Sequence, residues 1–196
     1  MQLIPSNNPE LEDLHHLLAQ RQATPKNIAS IDAEICNRFL KTLAVLTLDM
    51  QGFSHLTQTQ GIIPALQIIS RLQAISISTF EECGGTLFKT NTNNVYASFH
   101  DSDQALNSAE VVLARLNTVD LHAGIGIGYG DLLVIGDYDI YGHEMNLASK
   151  LGEDLAEKDE ILLTEAACKN LSKSPRLFEA STQAISGTAF HFYRLI

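Results

Sequence analysis

The segment 48–54, LDMQGFS, contains residue types that bind phosphates and metal ions. A carboxylate, Asp49, follows a short apolar run and precedes a turn that contains Gly52 and Phe53. Backbone N–H groups of such a turn can hold phosphate oxygens, and the aspartate can bind a Mg²⁺ ion that bridges those phosphates. Because an aspartate after a strand is also common in ordinary loops, this segment alone is a weak signal.

Two further segments add polar residues that suit the same chemistry. In the stretch KTNTNNVYASF, Lys89 lies near a strand end and Asn93 lies at a turn. In the stretch YDIYGHEMNLASKL, a loop enters a helix on which Asn146 and Lys150 are four residues apart and therefore share a face. Asp139 lies just before that helix and is a candidate partner for Lys89.

Several common catalytic templates do not occur in the sequence. It contains no GxSxG, no GxxxxGK[ST] and no HExxH pattern. The glycines of 124–130, GIGIGYG, do not fit GxGxxG spacing, and we interpret them as glycines of a close strand approach or a turn. Cys36, Cys83 and Cys168 form no CxxC pair. We therefore expect small buried cysteines in a reducing, cytoplasmic protein.

The composition limits the possible partners. The 196 residues include 13 Lys and Arg against 23 Asp and Glu, a formal net charge of −10, and 45% of them are hydrophobic. This hydrophobic fraction supports a packed core and excludes a disordered chain. A protein this acidic has no general attraction for nucleic acid or an anionic membrane surface, and no stretch approaches the ~20 apolar residues of a membrane span. We expect neither partner, and a phosphate-bearing ligand would be a small molecule held with a cation.

The apolar periodicity predicts the elements that position these residues. It predicts a helical extension over 1–42 and one domain over 43–196. The order strand, helix, strand, strand, helix, strand is that of the ferredoxin-like βαββαβ core, so we predict an α+β fold with an antiparallel sheet and helices packed on one face. The predicted strands are 43–49, 86–90, 94–99, 121–127, 132–135, 160–164 and 190–195, with a hairpin turn at 128–131, and the predicted helices are 61–80, 103–116, 143–156 and 165–171.

From about Leu43 to the C terminus, the sequence resembles the catalytic domain of class III adenylate and guanylate cyclases, in particular the bacterial branch. The resemblance rests on four stretches in the same order: LDMQGFS, KTNTNNVYASF, GIGIGYGDLLVIG and YDIYGHEMNLASKL. The last is the most specific, because its spacing fits the family without a gap at Asp139, Gly142, Asn146, Ala148 and Lys150. The resemblance implies the fold of that catalytic domain for most of the chain.

The resemblance also implies an activity and partners. Members of the family are head-to-tail dimers with active sites between the subunits, so it implies a homodimer or a heterodimer with another cyclase-type chain. It implies ATP or a related adenine nucleotide as the ligand and Mg²⁺ or Mn²⁺ as the cofactor. In the family, two aspartates hold two cations, the ATP 3′-hydroxyl attacks the α-phosphorus in line, and pyrophosphate leaves.

Roles can be transferred residue by residue as implications of the resemblance. Asp49 matches the first metal-binding aspartate, and Asn93 stands where the second belongs. Lys89 and Asp139 match the pair that reads adenine, since a lysine can donate to N1 and an aspartate can accept from the N6 amino group. Guanine offers a donor at N1 and an acceptor at C6, so this pair favours ATP over GTP.

The remaining assignments concern catalysis and phosphate binding. Asn146 matches the residue that orients the ribose, and Lys150 stands where most members have arginine, which keeps the charge but loses the planar fork of donors. Gly52 and Phe53 belong to the turn that holds phosphates. The segment 185–189, ISGTA, aligns with one that often carries a phosphate-binding lysine, but it offers only the hydroxyls of Ser186 and Thr188.

These departures lead to three alternatives. The first is an ATP-binding, regulatory dimer with weak or lost turnover, because Asn93 removes one of the two charges that hold Mg²⁺ or Mn²⁺ and weakens metal binding. The second is an active adenylate cyclase that converts ATP to cyclic AMP and pyrophosphate. The third is structural reuse of the fold for dimerisation, with Asp49 as a turn residue and Lys89 on a solvated strand.

Overall fold

The computed structural model of the chain describes residues 8–172, 176–185 and 188–196. Two helices precede the sheet: α1 (Pro9–Ala23) and α2 (Ile28–Phe39), with a 3₁₀ turn at Pro25–Asn27 between them. α2 leads directly into the first strand, which begins at Leu40. The helices bury apolar side chains against each other and against the end of a central strand: Leu11, Leu14, Leu17, Ile31, Ile35, Phe39 and Ile135.

The remaining elements form one sheet with helices around it. In chain order they are β1 (Leu40–Met50), α3 (Phe53–Gln60), α4 (Ile62–Glu82), β2 (Thr86–Asn91), β3 (Asn94–Phe99), α5 (Ser102–Asn117), β4 (Ala123–Ile135), β5 (Asp139–Tyr141), α6 (His143–Lys150), a π-helical turn (Leu151–Leu155), β6 (Ile161–Thr164), α7 (Glu165–Asn170), β7 (Phe178–Ile185) and β8 (Thr188–Leu195). The helix α3 and the strands β5 and β7 were not predicted from the sequence.

The strand order is β2-β3-β1-β4-β6-β8-β7, and β5 pairs with β4. The predicted α+β class and βαββαβ core are confirmed by β1-α4-β2-β3-α5-β4, whose strands pair antiparallel. Two details differ from the prediction of an antiparallel sheet with helices on one face. β4 and β6 pair in parallel, because the chain returns to the sheet through α6, and α6 covers the face opposite α4 and α5.

Large apolar side chains fill the face of the sheet that α4 and α5 cover. Leu46 and Leu48 of β1 are fully buried there with Leu72 and Phe80 of α4. The rings of Phe80 and Phe99 meet edge to face with centroids 6.0 Å apart. This layer is an ordinary hydrophobic core, and burial of its side chains stabilises the sheet that carries the polar residues.

Glycines of β4 allow α6 and the π-helical turn to approach the opposite face of the sheet closely. A Cβ atom on Gly126 would lie 2.0 Å from the carbonyl oxygen of Ala148, and one on Gly128 would lie 2.5 Å from that of Glu144. These glycines lie inside one continuous strand, so the hairpin turn predicted at 128–131 is wrong. Their presence reflects the contact between two backbones rather than a change of chain direction.

The helix α4 is the one helix in the described ranges that is long and apolar enough to cross a membrane, by length and composition alone. One side of it is buried in the core at Ala65, Ile69 and Leu72. Packing therefore accounts for the apolar residues on that side, whereas Ile62 and Ile63 at its start are exposed.

Candidate active site

Asp49 and Asn93 meet where β1 ends beside the turn between β2 and β3. The register places Asp49 opposite Asn94 on β3, so the preceding turn residue, Asn93, lies next to the carboxylate. The Asn93 side-chain Nδ2 donates a hydrogen bond of 2.5 Å to Asp49 Oδ1. The Asn93 carbonyl also accepts from the N–H of Met50 at 3.0 Å. The two residues expected at a metal site are therefore together, with the amide donating to the carboxylate.

The charge at Asp49 is not balanced by a cationic side chain. Burial is the main reason that the pKa of Asp49 is raised to about 7, and the negative charges of Glu153 and then Asp154 raise it further. In the described part of the chain, none of these three carboxylates forms an ion pair with Lys, Arg or His. The site therefore favours either a protonated Asp49 or a cation beside it.

A hydrogen-bonded chain connects β3 to the π-helical turn beside Asp49. Asn94 Nδ2 donates to Tyr96 Oη at 3.0 Å, and Tyr96 Oη donates to Glu153 Oε1 at 2.9 Å. Burial is the main cause that raises the pKa of Tyr96 to about 12. These three residues were not predicted from the sequence as part of the site. The alternation of side chains along β3 could have placed Asn94 and Tyr96 on the Asp49 face, but nothing in the sequence predicted the π-helical turn.

Lys89 and Asp139 form an ion pair at a separate place on the sheet. Lys89 lies on β2 just after a register shift, and Asp139 begins β5 opposite Ile135. Lys89 Nζ lies 3.2 Å from Asp139 Oδ2, and Asp139 Oδ1 accepts from the N–H of Ile140 at 3.0 Å. The side chains are 45% and 20% exposed, respectively, so a ligand can reach the pair. The donor and acceptor expected to read adenine are side by side.

Asn146 and Lys150 lie on the outer face of α6. Both line a cavity of about 570 Å³ between α6, α7 and β8. Lys150 Nζ lies 5.7 Å from the centre of the Phe190 ring, within the range of a cation–π contact. Met145 and Ala148 on the inner face are buried against the sheet, so packing fixes the helix and leaves the two polar residues at the cavity.

The turn after Asp49 leads into α3. Gly52 has a φ of 81°, a left-handed conformation that favours glycine, and α3 begins at Phe53 without a side-chain cap. Its first turn therefore has N–H groups available for an anion, and phosphate binding by Gly52 and Phe53 stays a prediction. The segment expected to carry a phosphate-binding lysine includes Ser186 and Gly187, which lie outside the described residues.

The residues around Asp49 show whether the chain could hold the Mg²⁺ or Mn²⁺ that the resemblance implies. Within residues 8–172, 176–185 and 188–196, no group of three or more His, Cys, Asp or Glu side chains is placed to hold a metal ion. The predicted pair supplies only one carboxylate, because the Asn93 amide is neutral. A buried acceptor without a hydrogen-bond partner, Asn94 Oδ1, lies beside the pair. The oxygen chemistry around Asp49 therefore suits one hard cation but not the family's arrangement of two aspartates.

Comparison with solved structures identifies the fold. The adenylyl cyclase CyaB from P. aeruginosa aligns with 80% of this chain and 94% of its own, with a TM-score of 0.71 and 21% identity. The adenylate/guanylate cyclase/hydrolase from Silicibacter pomeroyi aligns over 80% and 97%, with a TM-score of 0.68 and 19% identity. The guanylate cyclase domain of RhGC from Catenaria anguillulae, in complex with GTP, aligns over 80% and 96%, with a TM-score of 0.69 and 15% identity.

The chain has the fold of the nucleotidyl cyclase catalytic domain. The resemblance noted in the sequence is thereby confirmed at the level of fold. No family model and no curated protein matches the sequence. Within this cyclase fold, no hydrogen bond or ion pair among the described residues links the Asp49 group, the Lys89–Asp139 pair and the outer face of α6.

Proposed function

We propose that this protein binds ATP or a related adenine nucleotide as a dimeric, regulatory cyclase homology domain with weak or lost turnover. The observation that carries the proposal is the Lys89–Asp139 pair, a donor and an acceptor 3.2 Å apart. Adenine presents an acceptor at N1 and a donor at N6, which complement this pair, whereas guanine reverses both. The pair therefore supports ATP over GTP.

The pair Asp49 and Asn93, here called the metal end of the site, supports impaired turnover. Asp49 supplies one carboxylate, and Asn93 supplies a neutral amide that donates to it. Mg²⁺ or Mn²⁺ bound there would polarise the ribose 3′-hydroxyl and the triphosphate, and an amide neutralises none of the cation's charge. Lys150 also lacks the planar fork of the arginine that most family members have. Both departures act on the transition state more than on binding of the base.

The resemblance to cyclases, whose active sites lie between two subunits, supports a dimer. Among the described residues no hydrogen bond or ion pair joins the adenine-reading pair, the polar face of α6 and Asp49, and in the family such groups come from two chains. We propose a head-to-tail homodimer, or a heterodimer in which the partner supplies both metal aspartates and this chain supplies Lys89 and Asp139. We also propose a cytoplasmic location, where adenine nucleotides are available.

Calorimetric titration with ATP and with GTP, in EDTA, tests the proposal without requiring turnover. We expect ATP to bind more tightly than GTP, and Lys89→Ala to lower ATP affinity by about tenfold, since a charged hydrogen bond contributes ~1.5–3 kcal/mol. Lys158→Ala, an exposed lysine away from the pair, is the matched control and should bind ATP normally. If neither nucleotide binds and the protein is dimeric in sedimentation, the fold serves only dimerisation.

An active adenylate cyclase is the second candidate, favoured because Asp49, Lys89, Asp139 and Asn146 all have the residue types of the family. Incubation of the natural protein with ATP and Mg²⁺ or Mn²⁺, with cyclic AMP measured by mass spectrometry, decides this question. Product that disappears in Asp49→Ala would show an enzyme. No product at high protein concentration with Mn²⁺ would leave the regulatory proposal.

A further inference from the structure

Two carboxylates on the α6 face each retain an oxygen without a hydrogen bond. Asp49 uses Oδ1 to accept from Asn93, and Glu153 uses Oε1 to accept from Tyr96. Among the described residues, neither Asp49 Oδ2 nor Glu153 Oε2 has a hydrogen-bond or ion-pair partner. The existing hydrogen bonds hold each carboxylate in place, and the remaining oxygens are available to a ligand.

A buried amide oxygen adds an independent sign that a ligand is missing. Asn94 is 8% exposed, and its Oδ1 has no hydrogen-bond partner among the described residues. Asn94 lies opposite Asp49 in the β1–β3 register, so the two side chains lie on the same face of the sheet. Its Nδ2 donates to Tyr96 Oη, which places Asn94 in the same hydrogen-bonded chain as Glu153. A buried acceptor without a partner is unfavourable, and a bound cation would satisfy it.

The π-helical turn explains how Glu153 comes to this position. Gly152 packs so closely that a Cβ atom on it would lie 2.8 Å from the carbonyl oxygen of Thr47 on β1. The wider turn follows α6 and places the next residue, Glu153, against Tyr96. Such π-helical turns are rare in proteins, and those that occur are often found at functional sites. Glu153 is exposed, so the approach from solvent is open to a hydrated ion.

We propose that Asp49 and Glu153 together bind one divalent cation of the Mg²⁺ or Mn²⁺ class, with Asn94 Oδ1 as a third oxygen donor. Glu153 thus supplies the second carboxylate that Asn93 lacks, and the Asn93 amide positions Asp49 rather than binding the metal. Hard divalent cations bind oxygen donors of this kind and keep several waters. This inference deepens the proposed function, on which its relevance to the nucleotide rests, by assigning a metal-binding residue to the same site.

Binding of Mn²⁺ alone tests the inference, with no nucleotide present. Electron paramagnetic resonance of free Mn²⁺ would measure its loss on titration with the full chain. We expect one Mn²⁺ per chain, and an affinity at least ~10-fold lower in Glu153→Gln, by analogy with the loss on removing residues around a metal. The amide oxygen introduced by Glu153→Gln would still accept from Tyr96, so an unchanged melting temperature would confirm that the fold is kept.

Asp154→Asn is the matched control, because it removes the same charge at the next residue. Unlike Glu153, the Asp154 side chain makes no hydrogen bond to Tyr96 among the described residues. Asp154→Asn should lower the Mn²⁺ affinity by less than ~3-fold, the effect of a screened charge near the surface. Asn93→Asp combined with Glu153→Gln should restore binding. Wild-type affinity in Glu153→Gln, a larger loss in Asp154→Asn, or no Mn²⁺ binding by the natural protein would each overturn the inference. ATP binding in EDTA, measured separately, reports on the proposed function.

Discussion

The Lys89–Asp139 end of the site and the Asp49 end differ in how their charges are balanced. Lys89 and Asp139 neutralise each other at 3.2 Å, so that end is complete in the free chain. Among the described residues, the side-chain hydrogen-bond partner of Asp49 is a neutral amide, and the charges of Glu153 and Asp154 oppose its ionisation. One end is therefore ready to recognise a base by exchanging hydrogen bonds, whereas the other has unbalanced charge that a cation would stabilise.

This difference suggests that the two ends respond differently to sequence change. An ion pair at the surface can be lost with little effect on folding, because solvent replaces most of its interactions. A partly buried carboxylate without a cation raises the energy of the folded chain until a proton or a metal binds. Substitutions at the Asp49 end should therefore change stability, metal binding and turnover together, and those at the Lys89 end should change mainly base recognition.

The largest expected effect is that of Asn93→Asp on turnover. It adds a carboxylate through which a second cation could be held, and this should raise cyclic AMP formation with Mn²⁺ by at least ~100-fold, or about 2.7 kcal/mol of barrier. Mass spectrometry of the product measures the change. The control is Asn91→Asp, an exposed substitution in the same hairpin that should leave turnover unchanged. Equal turnover in the natural protein and Asn93→Asp would show that the metal end is not what limits activity.

Gly152→Ala should affect the Asp49 end and not the Lys89–Asp139 end, because it moves the π-helical turn that carries Glu153. The new Cβ would lie 2.8 Å from the Thr47 carbonyl and 3.0 Å from the Gly126 nitrogen, both backbone atoms that cannot move independently. We expect the free energy of unfolding to fall by ~1–3 kcal/mol, as in overpacked cores, and Mn²⁺ binding to weaken.

Urea denaturation and the Mn²⁺ titration measure the two effects of Gly152→Ala. Gly61→Ala is a control, since it is also a glycine substitution but has open space around the new Cβ. Its φ of 87° gives it a backbone strain of ~1–2 kcal/mol without any change near Glu153. If Gly152→Ala keeps the wild-type Mn²⁺ affinity, the position of the π-helical turn does not matter to the metal end.

The residues at the two ends could be predicted from the sequence better than the packing contacts that position them. The order of strands and helices follows from patterns local to each segment, and the pairing of Asp49 with Asn93 was implied by the resemblance to the cyclase family. The glycines of β4 were interpreted as glycines of a close strand approach or a turn, with a hairpin turn at 128–131. They are instead required by a helix backbone that comes 16 or more residues later in the chain. Glu153 was not predicted as a site residue, because its hydrogen bond with Tyr96 depends on that same long-range packing.

The pH dependence of stability offers a third test, in EDTA. The pKa of Asp49 is raised from 3.8 to about 7 in the folded chain, so the folded state holds this proton more tightly than the unfolded state. The corresponding stability is present below pH ~4 and is lost as the pH rises to about 7. Asp49→Asn, which keeps the acceptor for Asn93, should therefore be more stable than the natural protein by ~2 kcal/mol at pH 8, after allowance for screening by solvent.

At pH 3, below both pKa values, the natural protein and Asp49→Asn should be equally stable, since Asp49 is then largely protonated in the folded and the unfolded chain. Thermal and urea denaturation at the two pH values provide the measurement. Asp137→Asn, at an exposed position, controls for loss of one negative charge from an acidic protein. A difference between Asp49→Asn and the natural protein that is the same at both pH values would mean that ionisation of Asp49 is not the cause.

The smallest expected effect concerns the folding contribution of the Lys89–Asp139 pair. With Lys89 45% exposed, the coupling energy in a double-mutant cycle of Lys89→Ala and Asp139→Ala should be below ~1 kcal/mol by urea denaturation. The same variants should nevertheless remove the preference for ATP over GTP, because the two side chains hydrogen-bond the base directly. A coupling energy of ~3 kcal/mol would instead assign the pair to holding β2 and β5 together, and the contrast with the Asp49 end would then disappear.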